Sequence, residues 1–436
     1  MEALKEVQQF SSYLNQYTKD VRFDELKNNL KSNLNEDSSV QYKELLKKES
    51  LNEINSYLYV NNLPKIELEL LQRLLVENIT YTSLRTVYLE EIESHVTKED
   101  VTRKLKGFFN KKMHFLPDNV KETKEDLTFY SKMIDIKIEE MNKIYIPVIC
   151  EVENLIYVFF AYKAQKKNDE GELENIINCA TAVIDIDNEV ISVHVKNDFS
   201  SVKADQFAIS SPEKFFYSII EIISNDLGIS LKPRRTKDTK EKIFNYCKEL
   251  NRKIIEDYKD DVQEKISDFS SDMDNVLKKI SNSLEIEEEI NEKINSKLVD
   301  IFVGEFIIEK YSSLDLRKKA LEKGLFGYPT RLEYKSKDAS NSKTSSKSSG
   351  EPLPIHEIFH SINAVFKDNS ILNEVRIAWF EKYLFASEGS YENKSSTSQT
   401  SIKITTKYTS INFTGYSKVN MEMVNFVLQE IRKILS

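Results

Sequence analysis

His356, Glu357 and His360 spell H-E-x-x-H. Two histidines four residues apart share one face of a helix and can hold a single Zn²⁺, while the glutamate between them acts as general base on metal-bound water. The chain has five histidines, so two in this register use a large share of its imidazoles. A hydrolytic zinc centre needs a third protein ligand, and Glu374 or Glu381 is the carboxylate on offer. The surroundings fit less well. Pro354 places His356 in the first turn of the expected helix, and no G-x-x-H follows to supply a third histidine. Glu374 and Glu381 fall where apolar alternation predicts a strand. The preferred reading is therefore an amphipathic helix with His356, Glu357 and His360 on its polar edge and no cofactor. Zinc, held by His356, His360 and Glu374 with Glu357 as the catalytic base, is the alternative.

Phosphate binding is the second chemistry. Arg103, Lys104, Lys106, Lys111 and Lys112 form one basic segment; Lys232, Arg234, Arg235, Lys237, Lys240 and Lys242 form another. The net charge of −9 argues against a wholly basic nucleic-acid binder, but local patches can contact phosphates on an acidic protein. Apolar spacing predicts three short helices, Lys65–Glu77, Thr82–Ser94 and Thr97–Asn110, with Thr97 and Asp100 favouring the start of the third. Three compact helices ending in a basic one suggest a helix-turn-helix reader over 65–112.

Other constellations are weaker. Glu333 and Lys335 make the E-x-K pair of metal-dependent nucleases, with Asp315 as the upstream acid. Asp185 and Asp187 point one way along a strand, although Asp187-Asn188 reads more simply as a turn. Nine glycines form neither G-x-G-x-x-G nor a P-loop, which excludes the common nucleotide-binding motifs. Cys150, Cys179 and Cys247 are widely spaced and form no C-x-x-C pair.

These groups must be positioned by about four regions. Residues 1–112 read as helical. Residues 113–230 read as an α+β domain whose strands include the alternating Ile134, Ile136 and Ile138, then Ile144–Val152, Leu155–Tyr162, Ala180–Ile186 and Val190–Val195. Ser211-Pro212 opens a helix that stops near Gly228. Residues 231–325 contain one glycine from Lys237 to Lys323 and no proline, predicting long charged helices in an antiparallel hairpin with an imperfect heptad. Residues 326–436 read as β-α-β-β-α: a strand Thr330–Lys335, a helix Ile355–Phe366, two further strands and a last helix from Met421 to Leu435. Ser-rich stretches 336–350 and 386–400 are expected to be mobile loops. The fold class is α+β.

Met1–Phe10 predicts no signal peptide, and no apolar run reaches bilayer length, so a cytoplasmic protein without membrane contact is expected. Lys/Asn/Ile/Ser usage resembles that of a low-GC bacterium or its mobile elements. The first expectation is a non-enzymatic protein associated with nucleic acid, in regulation or antiviral defence, through Arg103, Lys104, Lys106, Lys111, Lys112, Arg234 and Arg235. The second is the metalloprotease. The third is a protein-interaction scaffold, able to form a homo-oligomer through its long helices.

Overall fold

The computed structural model describes residues 13–61, 63–82, 84–93, 95–112, 133–140, 143–152, 154–196, 209–285, 288–335, 341–345, 350–357, 359–360, 372–384, 396–414 and 419–435. The chain forms two compact units, 1–234 with 418–421, and 235–417 with 422–436. Both combine helices with antiparallel strands, so the class is α+β.

The first unit begins with a 3-10 turn, Leu14–Asp20, and helices α1 (Phe23–Ser32), α2 (Val40–Leu45), α3 (Leu51–Val60) and α4 (Lys65–Tyr81). Serine caps fix two of their starts: Ser39 accepts from the Tyr42 amide and Ser50 from that of Glu53. Leu26, Leu30, Leu45, Ile54, Leu71 and Leu75 close their shared core. Strand β1 (Thr86–Glu91) follows, then α5 (Lys98–Lys112), β2 (Ile144–Val152), β3 (Leu155–Lys167), β4 (Leu173–Asp185), β5 (Val190–Val195) and α6 (Pro212–Glu221). The sheet order within this unit is β2-β3-β4-β5-β1. Helix α6 starts as its sequence requires: Ser211 accepts from the Lys214 amide and Pro212 occupies the first turn. It buries Phe215, Phe216 and Ile219, with Phe216 stacked on Tyr88 at 4.4 Å between ring centroids.

Two local expectations are corrected here. Residues 86–91 are a strand where a helix was expected, because Thr86 through Glu90 are buried on both faces and pair with Val195 through Ile191. A run buried on both sides has no alternation to mark it as a strand. The helix-turn-helix over 65–112 is therefore not formed. The 134–138 segment is no strand either. Met133–Asp135 is a 3-10 turn, and Gln16 takes the next backbone groups: its Nε2 donates to the Ile136 carbonyl at 2.6 Å and its Oε1 accepts from the Ile138 amide at 3.1 Å.

In the second unit α7 (Thr236–Ile266) runs 31 residues, about 46 Å at 1.5 Å per residue. A 3-10 turn, Ser267–Phe269, leads into α8 (Ser270–Ser283); α9 (Glu288–Lys310) packs on both α7 and α8, and α10 (Ser313–Glu322) follows. Strands β6 (Gly327–Lys335), β7 (Asn341–Ser345), β8 (Leu372–Phe380), β9 (Thr397–Ile404) and β10 (Thr409–Thr414) make a sheet in the order β10-β9-β8-β6-β7. A single turn α11 (Glu381–Leu384) follows β8, and α12 (Met421–Leu435) ends the chain. Ile254, Tyr258, Val303, Ile307, Tyr328 and Phe380 form the core between helices and sheet. Of the two expected loops, 341–345 is strand β7 and 397–400 belongs to β9; 336–340, 346–349 and 386–395 lie outside the described residues. Among the described residues no helix is long and apolar enough to cross a membrane.

Candidate ligand groove

α7 borders a groove of about 350 Å³ in the second unit. Its described walls come from α7, from Asp300 on α9, from Leu332 on β6 and from Phe359. Lining residues on α7 recur at helical spacing from Phe244 to Gln263, a reach of about 28 Å at 1.5 Å per residue. The floor is apolar, made of Phe244, Ile255, Leu332 and Phe359, each at most 9% exposed. Charged side chains of both signs rim it: Lys248, Arg252 and Lys259 against Glu256 and Asp260.

Two of the polar lining residues are buried. Asp300 is buried and sits 3.4 Å from the Lys259 ammonium. Asn251 is 5% exposed, and its Oδ1 has no hydrogen-bond partner among the described residues. A buried acceptor left unmet costs about 1–3 kcal/mol. A ligand donating an N–H or O–H into the groove would recover that cost. Concave sites of this size, apolar with a few convergent polar groups, are the usual form of binding sites.

The H-E-x-x-H segment borders this groove but takes another geometry. Leu353–Ile355 is a 3-10 turn and His356 is extended, with φ −113° and ψ 128°. Helical backbone resumes at Glu357, so His356 stands outside the helix whose register would align it with His360; residues 361–371 lie outside the described residues. His356 Nε2 lies 3.5 Å from a Glu351 carboxylate oxygen. His360 is buried, and its Nε2 donates to the Pro354 carbonyl at 2.7 Å; a carbonyl only accepts, so that nitrogen carries the proton. Burial holds the His360 imidazole below its ordinary titration range, opposed by the Pro354 hydrogen bond and the Asp300 charge. Glu374, on β8, accepts from Ser401 Oγ at 2.9 Å and lies 3.7 Å from Arg331. Glu381 accepts from Ser398 Oγ at 2.9 Å. Among the described residues no three His, Cys, Asp or Glu side chains gather as a metal site would require.

The basic residues are largely turned to partners in the chain. Arg103 pairs with Asp100, and Lys104 donates to the Gly228 carbonyl. Thr97 caps α5 as its sequence suggested, accepting from the Asp100 amide at 3.2 Å. Arg234 pairs with Glu90, whose side chain is buried, and Lys232 pairs with Glu189. Lys240 donates to Asn373 Oδ1 at 2.7 Å and Lys242 to the Leu435 carbonyl at 2.6 Å. Arg235 stays exposed ahead of α7. The side chains of Lys106, Lys111 and Lys112 lie outside the described residues, although their backbone belongs to α5.

The remaining acids have local work. Asp315 closes a capping box with Ser312 at the start of α10, and Glu333 lies 3.0 Å from Arg331. The Lys335 side chain lies outside the described residues. Asp185 receives the Asn188 amide at 3.1 Å, and Asp187 receives the Asn154 amide group at 2.7 Å, so both serve turns. The three cysteines are buried free thiols. Burial, reinforced by the Glu77 charge, pushes Cys150 up to about 12, and burial likewise raises Cys179 and Cys247. Thiols so shifted are poor nucleophiles near neutral pH.

The groove went unseen in the sequence because α7 reads as a solvated arm. One signal was present. Asn251 falls inside the apolar row Leu250, Ile254, Ile255 and Tyr258, where a polar side chain needs a partner or a purpose. Comparison of the chain with protein-family models, with curated proteins and with solved structures gave no match.

Proposed function

We propose that the chain is a non-enzymatic protein-interaction component whose α7 groove receives an extended peptide segment. The observation that carries this reading is Asn251, a buried side chain lining an apolar groove, whose Oδ1 has no hydrogen-bond partner among the described residues. An extended peptide offers backbone N–H groups at regular intervals, one of which would meet Asn251. The groove's lining on α7 reaches about 28 Å at 1.5 Å per residue, which suits a strand-like occupant better than a compact ligand. Rim charges of both signs would set direction and register by pairing with a peptide of mixed charge.

The test uses a phage-displayed peptide library selected on the full chain, followed by fluorescence anisotropy of the enriched peptides. Asn251→Leu should weaken them about tenfold, the worth of one well-made buried hydrogen bond. Lys248→Glu with Arg252→Glu should shift the preferred charge pattern, since both side chains line the rim. Failure to enrich any sequence, or peptides indifferent to all three changes, would overturn the reading. Salt-sensitive retention on DNA that survives these changes and falls with Arg103→Ala or Arg235→Ala would move the function to nucleic acid instead.

A further inference from the structure

We propose that the chain forms an antiparallel homodimer through α8, independently of whether the groove is filled. Phe269, Val276, Ile280 and Leu284 are 61%, 54%, 49% and 63% exposed, and Met273 is half-buried among them. Single exposed apolar residues are ordinary, but these fall on one stripe. Met273, Val276 and Ile280 are spaced three and four apart, the a-d-a part of a two-stranded coiled-coil seam, and Phe269 stands four residues before Met273 at the end of the 3-10 turn that leads into α8.

The row of α8 turned to α9 is a different one. There Leu277 and Ser281 are buried, Ser281 contacts Asn291, and Asp274 accepts from Asn295 at 3.0 Å. The seam is therefore a flank of the α8–α9 pair and remains available to another helix.

The charges beside the seam select the occupant. Asp272 and Lys279 each precede a seam residue by one position, on the side away from α9. Pack two copies antiparallel about a two-fold axis between Met273 and Val276. Phe269 then faces Ile280 of the second copy, and Met273 faces Val276. In the same register Asp272 meets Lys279 of the second copy, and the symmetry repeats the pair. A parallel pairing would set Asp272 against Leu277 and leave both charges unmatched. A surface complementary to itself under a two-fold is the signature of an isologous interface. The two α8–α9 pairs would then form a four-helix arrangement. Phe302, 46% exposed on the row of α9 that carries Asn291 and Asn295, would add apolar area.

Sedimentation equilibrium of the full chain over a concentration series tests this. The wild type should be a dimer, and Val276→Glu with Ile280→Glu should make it a monomer. Asp272→Lys and Lys279→Asp should each weaken association about tenfold by replacing two attractions with two repulsions. Combining them should restore the wild-type constant, because the pairs re-form with exchanged signs. All four positions are exposed, so Trp379 fluorescence, reporting the second unit, should be unchanged in every variant. A wild-type monomer, a dimer indifferent to the glutamates, or a double exchange no tighter than its single changes would each overturn the proposal.

Discussion

The 356–360 segment and the inner face of α7 both reach the groove, one through Phe359 and the other through Asn251, and they differ in how their polar groups are met. His360 is committed inside the fold. Its Nε2 proton goes to the Pro354 carbonyl, and its ring lies so close to α9 that a Cβ on Gly304 would fall 2.5 Å from its Cγ. Asn251 is equally buried, yet its Oδ1 is left unmet among the described residues. His360 therefore has its Nε2 proton spent inside the fold, whereas Asn251 keeps an acceptor unmet among the described residues. Binding chemistry is better sought where a buried polar group lacks a partner than where a spelling suggests a site.

The largest expected effect that tests this contrast comes from Gly304→Ala. A glycine inside a helix costs about 1 kcal/mol relative to alanine, so filling it usually helps. Here the new methyl would collide with the base of the His360 ring rather than with a flexible tip. Stability of the second unit should fall by about 1–3 kcal/mol, as overpacking does. Trp379, the single tryptophan and fully buried, reports it in urea unfolding. In a His360→Ala background the same change should turn favourable, by up to about 1 kcal/mol. A stabilising Gly304→Ala in the wild type would mean that His360 does not press on α9, and would return the metal reading to contention.

Much of the frame was legible because local signals and tertiary burial agreed. The bounds of β2 and β5 follow from apolar runs, and the start of α6 from Ser211-Pro212. The run from Lys237 to Lys323, without proline, became α7 to α10. What failed did so for identifiable reasons. Thr86 through Glu90 are buried on both faces, which erases alternation, and Gln16 supplies from 120 residues away a partner for the Ile136 carbonyl that a neighbouring strand would have offered. The candidate site was harder still. Its floor joins Phe244 and Ile255 of α7 to Leu332 and Phe359, a proximity set by tertiary folding alone. His356 shows the converse: a register written in the sequence lapses when a 3-10 turn leaves the first histidine extended.

A smaller effect sharpens the groove side of the contrast. Asn251→Leu should stabilise the unliganded second unit by about 1 kcal/mol, because it removes an acceptor that burial leaves unmet. The same change should weaken the selected peptides, so stability and affinity move in opposite directions. A structural asparagine would lose both together, and urea midpoints beside anisotropy constants separate the two outcomes.

The smallest effect concerns pH and belongs to His360. Burial lowers its folded titration point below the ordinary 6.5. Above that value both folded and unfolded chains hold the ring neutral, and stability is at its full value. As pH falls below it the unfolded chain takes up the proton more readily, so stability of the second unit should decline and level off once the folded ring also titrates. His360→Gln should remove this portion of the slope while leaving the carboxylate-driven loss at lower pH. The measurement is the difference in urea midpoint between wild type and variant, followed by Trp379 fluorescence from pH 8 to pH 5, a window drawn about the ordinary histidine range of roughly 6.5. A difference that stays constant across the window would show that the ring is not sealed against protonation. A difference between wild type and variant that grows in favour of the wild type as pH falls would show that the ring gains a partner when charged, the reverse of a ring fixed neutral between Pro354 and Gly304.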